Sequence, residues 1–126
     1  MGSRRSIEIE GFGHGEQPIP AACRKGNLLI TGGVHGLGGA KTDADGQAQM
    51  MFKNLGRILE AGGASLDDVV KLTVFVRTRE ARAAINPEWL KAFPDPATRP
   101  ARHTIQNDHM PEQLLIQCEA IAFVGD

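Results

Sequence analysis

The chain reads as an α+β protein, a mixed β-sheet with two helices on one of its faces, in the order β-β-β-α-β-α-β-β. Three observations carry that reading. Within residues 45–61, Ala48, Met51, Phe52, Leu55, Ile58 and Leu59 recur in steps of three and four, so they line one face of a helix. Residues 69–77 are rich in valine and alternate as a strand does. A second helical stretch follows Thr78, and two further strand-like runs close the chain.

Residues 6–10 alternate and form the first strand, and residues 11–20 are a loop punctuated by glycine and proline. Residues 21–24 and 28–31 form a hairpin across the turn Lys25-Gly26-Asn27. The next stretch, residues 32–42, is rich in glycine. It has neither the Gly-x4-Gly-Lys-Ser/Thr of a phosphate loop nor the third glycine of a dinucleotide fingerprint. Its glycines instead predict close approach of backbone to a ligand or a neighbouring chain, with N–H groups around Gly32 and Gly33 free to bind.

Asp43 or Asp45 caps the helix over 45–61, and Gly62-Gly63 ends it. Ser65 and Asp67-Asp68 turn the chain into the strand 69–77. Val70, Leu72, Val74 and Val76 form its apolar face, and Phe75 and Thr73 suggest partial cover of the other. Thr78 caps a second helical segment containing Ala81, Ala84 and Ile85. Asn86-Pro87 interrupts it, with Asn86 as a fresh cap and Pro87 at the first helical position. Pro94 and Pro96 stop it.

The last strands are residues 101–107 and 114–124. In the first of them Arg102, Thr104 and Gln106 share one face, and Ala101, His103 and Ile105 the other. Paired as an antiparallel hairpin, the two strands would set Asn107 opposite Leu114 and Arg102 opposite Glu119. With both helices on one side of the sheet, the other side needs cover, for which a homo-oligomer is the natural source.

Bulk properties exclude several classes. The 126 residues predict a single domain over 1–126, with residues 1–3 fitting an expression scar. Fourteen basic against fifteen acidic residues leave a net charge of −1, without the basic face that phosphate contacts require. Five Phe, one Trp and no Tyr give few platforms for base stacking, so no nucleic-acid partner is expected. No apolar run approaches the roughly 20 residues of a membrane helix, and no secretory h-region follows Arg5. Cys23 and Cys118 have no CxxC spacing and fit packing thiols in a reducing cytoplasm. No HxH or HxxxH pair occurs among His14, His35, His103 and His109, so no metal is expected.

Several segments together carry a resemblance that covers nearly the whole chain. They are Lys25-Gly26-Asn27-Leu28-Leu29-Ile30-Thr31-Gly32-Gly33, the run from Asn54 through Gly63-Ala64-Ser65-Leu66-Asp67-Asp68-Val69-Val70-Lys71, and Thr73-Val74-Phe75-Val76. Asn86, Arg99-Pro100-Ala101-Arg102 and Glu119-Ala120-Ile121-Ala122 complete the set. In this ordered set the chain resembles the RidA/YjgF family, also called endoribonuclease L-PSP. The resemblance implies a chorismate-mutase-like fold, a homotrimer with ligand sites between subunits, and cofactor-independent hydrolysis of enamines and imines to 2-oxo acids and ammonia.

Residue by residue, the resemblance makes Arg102 the clamp for a substrate carboxylate, a task for which a planar fork of donors suits arginine better than lysine. Glu119 matches the carboxylate that positions or activates water. Gly33 and Thr104 match positions whose backbone lines the cleft, and Asn86 matches an asparagine near it. The chain also departs from the family. Ile19 stands where a tyrosine is common, Gly32 where serine is usual, Val34 where glutamine is, and His103 follows Arg102 in place of serine. His35 adds an imidazole to the glycine-rich loop.

The expected activity is therefore hydrolysis of a carboxylate-bearing enamine or imine, on a substrate different from the small imino acids of the best-known members. Aminomuconate-like enamines are one candidate. The alternative is a trimeric protein that binds a small carboxylate metabolite without turnover. Ribonuclease activity, which only the family label favours, ranks last given the neutral charge and scarce aromatics.

Overall fold

A computed structural model describes residues 3–39 and 42–125. Ala40 and Lys41 of the glycine-rich stretch, and most of the expected scar at 1–3, lie outside the described residues. The strands are β1 (Arg5–Ile7), β2 (Ala22–Lys25), β3 (Leu28–Thr31), β4 (Val34–His35), β5 (Val69–Val76), β6 (Ala101–Gln106) and β7 (Ile116–Phe123). The helices are α1 (Ala44–Ala61) and α2 (Ile85–Ala92), with 3-10 turns at Leu66–Asp68 and Arg79–Ala84. Among the described residues no helix is long and apolar enough to cross a membrane.

One mixed sheet holds the strands in the order β1-β2-β3-β7-β5-β6, with β4 also on β7. Only β5 and β6 run parallel. The expected hairpin of the last two strands does not form, because β5 lies between them. A parallel neighbour needs a crossover, and the segment from Thr78 to Pro100 with α2 supplies it. Arg102 consequently pairs with Leu72 and Glu119 with Thr73, one row apart on opposite faces.

The helix α1 forms as its sequence dictates. The Asp43 Oδ1 accepts a hydrogen bond from the Gly46 N–H at 2.8 Å, so Asp43 is the cap. The apolar stripe from Ala48 to Leu59 is buried against the sheet. At the other end Gly63 adopts φ +79°, a left-handed turn that costs other residues strain. Gln47, only 2% exposed, fastens this helix to the entry of β7. Its amide donates to the Thr42 and Gln113 carbonyls and accepts from the Leu115 N–H, each at 2.9 Å. Gln47→Leu would strand those groups, so we expect a loss of about 2–4 kcal/mol in urea denaturation, against near-neutral Gln49→Leu on the exposed face.

Other expectations need correction. The first strand ends at Ile7 rather than 10. On β5 a register shift between Val69 and Lys71 turns Val70 outward, 53% exposed, and the buried face is Val69, Leu72, Val74 and Val76. Helix α2 begins at Ile85 with Ala84 as its cap residue, so Asn86 caps nothing and sits exposed in the first turn. Thr78 precedes the 3-10 turn without a side-chain capping bond. The glycine-rich stretch adds the short strand β4. There, Gly36 lets backbone meet backbone within this chain, since a Cβ would collide with the Gln47 carbonyl and the Met51 nitrogen of α1.

The sheet face away from the helices is bare and apolar in part. Leu28 pairs with Phe123 and Ile30 with Ile121, and all four are 39–45% exposed.

Candidate functional site

The site grows from an irregularity where β3 gives way to β4. Ile30 pairs with Ile121 and Val34 with Cys118, so four steps on one side answer three on the other. The extra residue is a bulge, a device that re-aims neighbouring side chains. Thr31 repairs the ladder with its hydroxyl, which accepts from the Ala120 N–H at 2.9 Å and donates to the Gly32 carbonyl at 2.8 Å. The Gly32 N–H bonds to the Ala21 carbonyl at 2.9 Å, so it is not the free donor expected of it. Gly33 lies against Gln117, whose side chain a Cβ there would strike.

Pairing then sorts the side chains. Glu119 and His103 both register with Thr73, and Gln117 and Ile105 both register with Phe75. These six share the face away from the helices. Strand spacing puts His103 and Glu119 about 10 Å apart, on either side of β5.

The loop before β2 folds over this face and is held by two imidazoles. His14 Nε2 donates to the Gly33 carbonyl at 2.9 Å. His35 Nε2 donates to the Gly13 carbonyl at 3.2 Å, while its Nδ1 accepts from the Leu37 N–H at 3.2 Å. Phe12 stacks on His35 with ring centroids 4.6 Å apart and meets His14 edge-on at 5.5 Å. Together the loop and the sheet line an open cavity of about 390 Å³. Glu119, Gln117 and Phe75 form its sheet side, Gly33 and His14 one wall, and Ile19 and Asn107 the rim. Asn107 is fixed where β6 ends, with its N–H on the Val76 carbonyl at 2.8 Å and its Oδ1 accepting from the His109 N–H at 3.0 Å. This lining offers a carboxylate, two amides and an imidazole, and it contains no cation. It offers acceptors and donors together, with the Glu119 carboxylate as its one acidic group.

Of the residues expected from sequence, Glu119, Gly33 and Ile19 line this cavity, and His35 and Gly32 sit behind its wall. Arg102 does not join them. It lies on the edge strand β6 with its Cζ 4.8 Å from the centroid of the Trp89 ring of α2. Partial burial there, and secondly the neighbouring Arg82, lower its pKa, although a guanidinium remains charged at neutral pH. Thr104 registers with buried Val74 on the helix side, and Asn86 stands on α2, so neither reaches the cavity. His103 shares the face of Glu119 without lining the cavity.

Sequence reading missed His14, Phe75, Asn107 and Gln117. Gln117 and Phe75 could have been found, since each lies two residues along a strand from Glu119 or Thr73 and so shares its face. His14 sits in an irregular loop with no such period. The Cys118 thiol is buried beneath the site, and burial first, then Glu119, raises its pKa well beyond any nucleophilic range. Among the described residues no three His, Cys, Asp or Glu side chains gather as a metal site would require.

Comparisons with known proteins agree with this architecture. The family model described as "Endoribonuclease L-PSP" matches residues 17–124. "RutC family protein PH0854" of Pyrococcus horikoshii is 32% identical over 111 residues, 84% of this chain and 86% of its own. The "2-iminobutanoate/2-iminopropanoate deaminase" of Escherichia coli K12 is 34% identical over 102 residues, 77% of this chain and 80% of its own. Among solved structures, the YjgF gene product of E. coli superposes with a TM-score of 0.84 at 29% identity, over 96% of this chain and 99% of that one. RidA from the Antarctic bacterium Psychrobacter gives 0.84 at 25% identity, over 95% and 99%.

Proposed function

The chain belongs to the endoribonuclease L-PSP (RidA/YjgF) family, and from that premise we propose that it hydrolyses a carboxylate-bearing imine or enamine to a 2-oxo acid and ammonia. The single observation that carries this is a polar cavity with Glu119 in its lining, in a chain 34% identical to a protein named for deaminating 2-imino acids.

In this reading a protonated imine enters with its nitrogen end toward Glu119. The carboxylate takes a proton from a water molecule as its oxygen adds to the imine carbon. The proton passes to the nitrogen. As the C–N bond breaks with its electrons going to nitrogen, Glu119 takes the proton of the new hydroxyl, which leaves a carbonyl and ammonia. The carboxyl then returns that proton to ammonia as ammonium. The iminium is already electrophilic, so the scheme calls on no metal or cofactor. The substrate carboxylate needs a cation that the cavity lacks, and Arg102 is the candidate. In one copy Arg102 and Glu119 face opposite sides of the sheet, so the reading includes a homotrimer in which Arg102 of a neighbouring copy completes the site. The bare apolar face of Leu28, Ile30, Ile121 and Phe123 supports such an assembly. Two free thiols accord with a cytoplasmic setting.

The test is ammonia release from 2-imino acids generated in situ, alongside aminomuconate-like enamines, with and without the protein. Acceleration over spontaneous hydrolysis is the expected result. Stabilisation by such carboxylates with no turnover on any of them would overturn the reading and mark a binding protein.

A further inference from the structure

Arg102 supplies the cation that the proposed reaction needs, yet an arginine side chain on an edge strand turns about several bonds and makes a loose clamp. One contact restrains it. Its Cζ lies over the ring of Trp89, 4.8 Å from the centroid. That ring is itself fixed, since Trp89 is buried in the core and meets Phe93 at an interplanar angle of 62°, with centroids 4.8 Å apart. The negative face of an indole attracts a guanidinium. Among the described residues no hydrogen bond or ion pair within the chain engages the Arg102 side chain. The nearby charge works against this pose. Burial first, and then the field of Arg82, lower the Arg102 pKa, and two like charges repel each other toward solvent. Neither arginine has a carboxylate partner among the described residues. Trp89 therefore holds a charge that its surroundings would otherwise release, with donors left for an anion from outside the chain.

We infer that Trp89 is a positioning residue for the substrate carboxylate, its ring fixing Arg102 in the pose from which the guanidinium fork receives that group. The inference rests on the hydrolase reading above and deepens it. A side chain ordered before the substrate arrives loses less freedom when it binds, so affinity rises without any new contact to the substrate. The carboxylate does not react and is held alike in the ground and transition states. Loss of the platform therefore falls on KM rather than on kcat.

The sequence offers a direct reporter, because Trp89 is its one tryptophan and it has no tyrosine. A carboxylate drawn onto Arg102 changes the charge over the indole face. Titration with 2-oxobutanoate, a 2-oxo acid that cannot be turned over, should therefore change the Trp89 emission saturably, and Arg102→Ala should abolish the change. A tryptophan that only fills the core would not respond. Two substitutions supply the kinetic half. Trp89→Phe keeps an aromatic face, and Trp89→Leu keeps only apolar bulk. Both leave a void and lower Tm. With 2-imino acids generated in situ, we expect Trp89→Leu to raise KM about tenfold with kcat within about threefold, and Trp89→Phe to hold KM within about threefold. The inference is overturned if 2-oxobutanoate leaves the wild-type emission unmoved, if Arg102→Ala keeps the response, or if KM rises equally in both Trp89 variants. The titration stands even where Trp89→Leu fails to fold. Hydrolysis without an emission response sinks this inference alone. An Arg102-dependent response without hydrolysis sinks the hydrolase reading and leaves Trp89 positioning the clamp of a binding protein.

Discussion

Arg102→Ala lowers kcat/KM for imino acid hydrolysis by about 10²–10³-fold and leaves the melting temperature essentially unchanged. The first half of that expectation follows from charge. A bidentate guanidinium–carboxylate pair removed from water is worth several kcal/mol on truncation, and each 1.4 kcal/mol is a factor of about ten. The cavity has no other cation among its lining residues to take over. The second half follows from position. Arg102 is exposed on an edge strand, and among the described residues its side chain makes no ion pair or hydrogen bond within the chain. Its guanidinium lies over the face of Trp89, a contact worth about 1 kcal/mol or less at such exposure. Arg102→Lys retains charge and loses the fork, so an intermediate loss of about tenfold is expected. Steady-state kinetics and a thermal melt of the same preparations decide the matter. A wild-type rate in Arg102→Ala removes this arginine from the site.

What the sequence made legible follows from which physical signals are local. The stripe from Ala48 to Leu59, a cap at Asp43 or Asp45 and the Gly62-Gly63 stop are short-range patterns, and the structure keeps all three with Asp43 as the cap. The position of β5 between β6 and β7 is a long-range fact. Residues 101–107 and 114–124 look like a hairpin because six residues separate them, yet β6 is parallel to β5 through the crossover and β7 antiparallel to it. The supposed facing of Arg102 and Glu119 within one sheet fell with that error. Val70 failed for a related reason, since a shift of one residue at Val69/Lys71 reverses which side chains are inward, and alternation alone cannot reveal it. Gly33 and Glu119 were singled out by resemblance, and they lie together because the bulge between β3 and β4 brings them there. His14 depends on a loop folding back across the sheet, which no periodicity encodes.

Mixing two inactive variants, Arg102→Ala and Glu119→Gln, restores activity to about one quarter of wild type once they are unfolded together and refolded at equal concentrations. The figure follows from where the two side chains stand. Arg102 registers with Leu72, which is buried under the helices, and Glu119 with Thr73 on the opposite face. A sheet separates them within one copy, so a substrate touching both must lie between copies. In a random mixture about half the copies carry an intact Arg102 and about half an intact Glu119. A site that draws each residue from a different copy is therefore whole about one time in four. A site confined to one copy can never be whole in the mixture, because every copy lacks one of the two groups. Native mass spectrometry of the refolded sample should show mixed trimers. If mixed trimers form and no activity returns, the two residues do not act on the same substrate from neighbouring copies. If only monomers form, the apolar face of Leu28, Ile30, Ile121 and Phe123 is not the trimer contact. The bulge would then hold Glu119 in a cavity that no second copy completes.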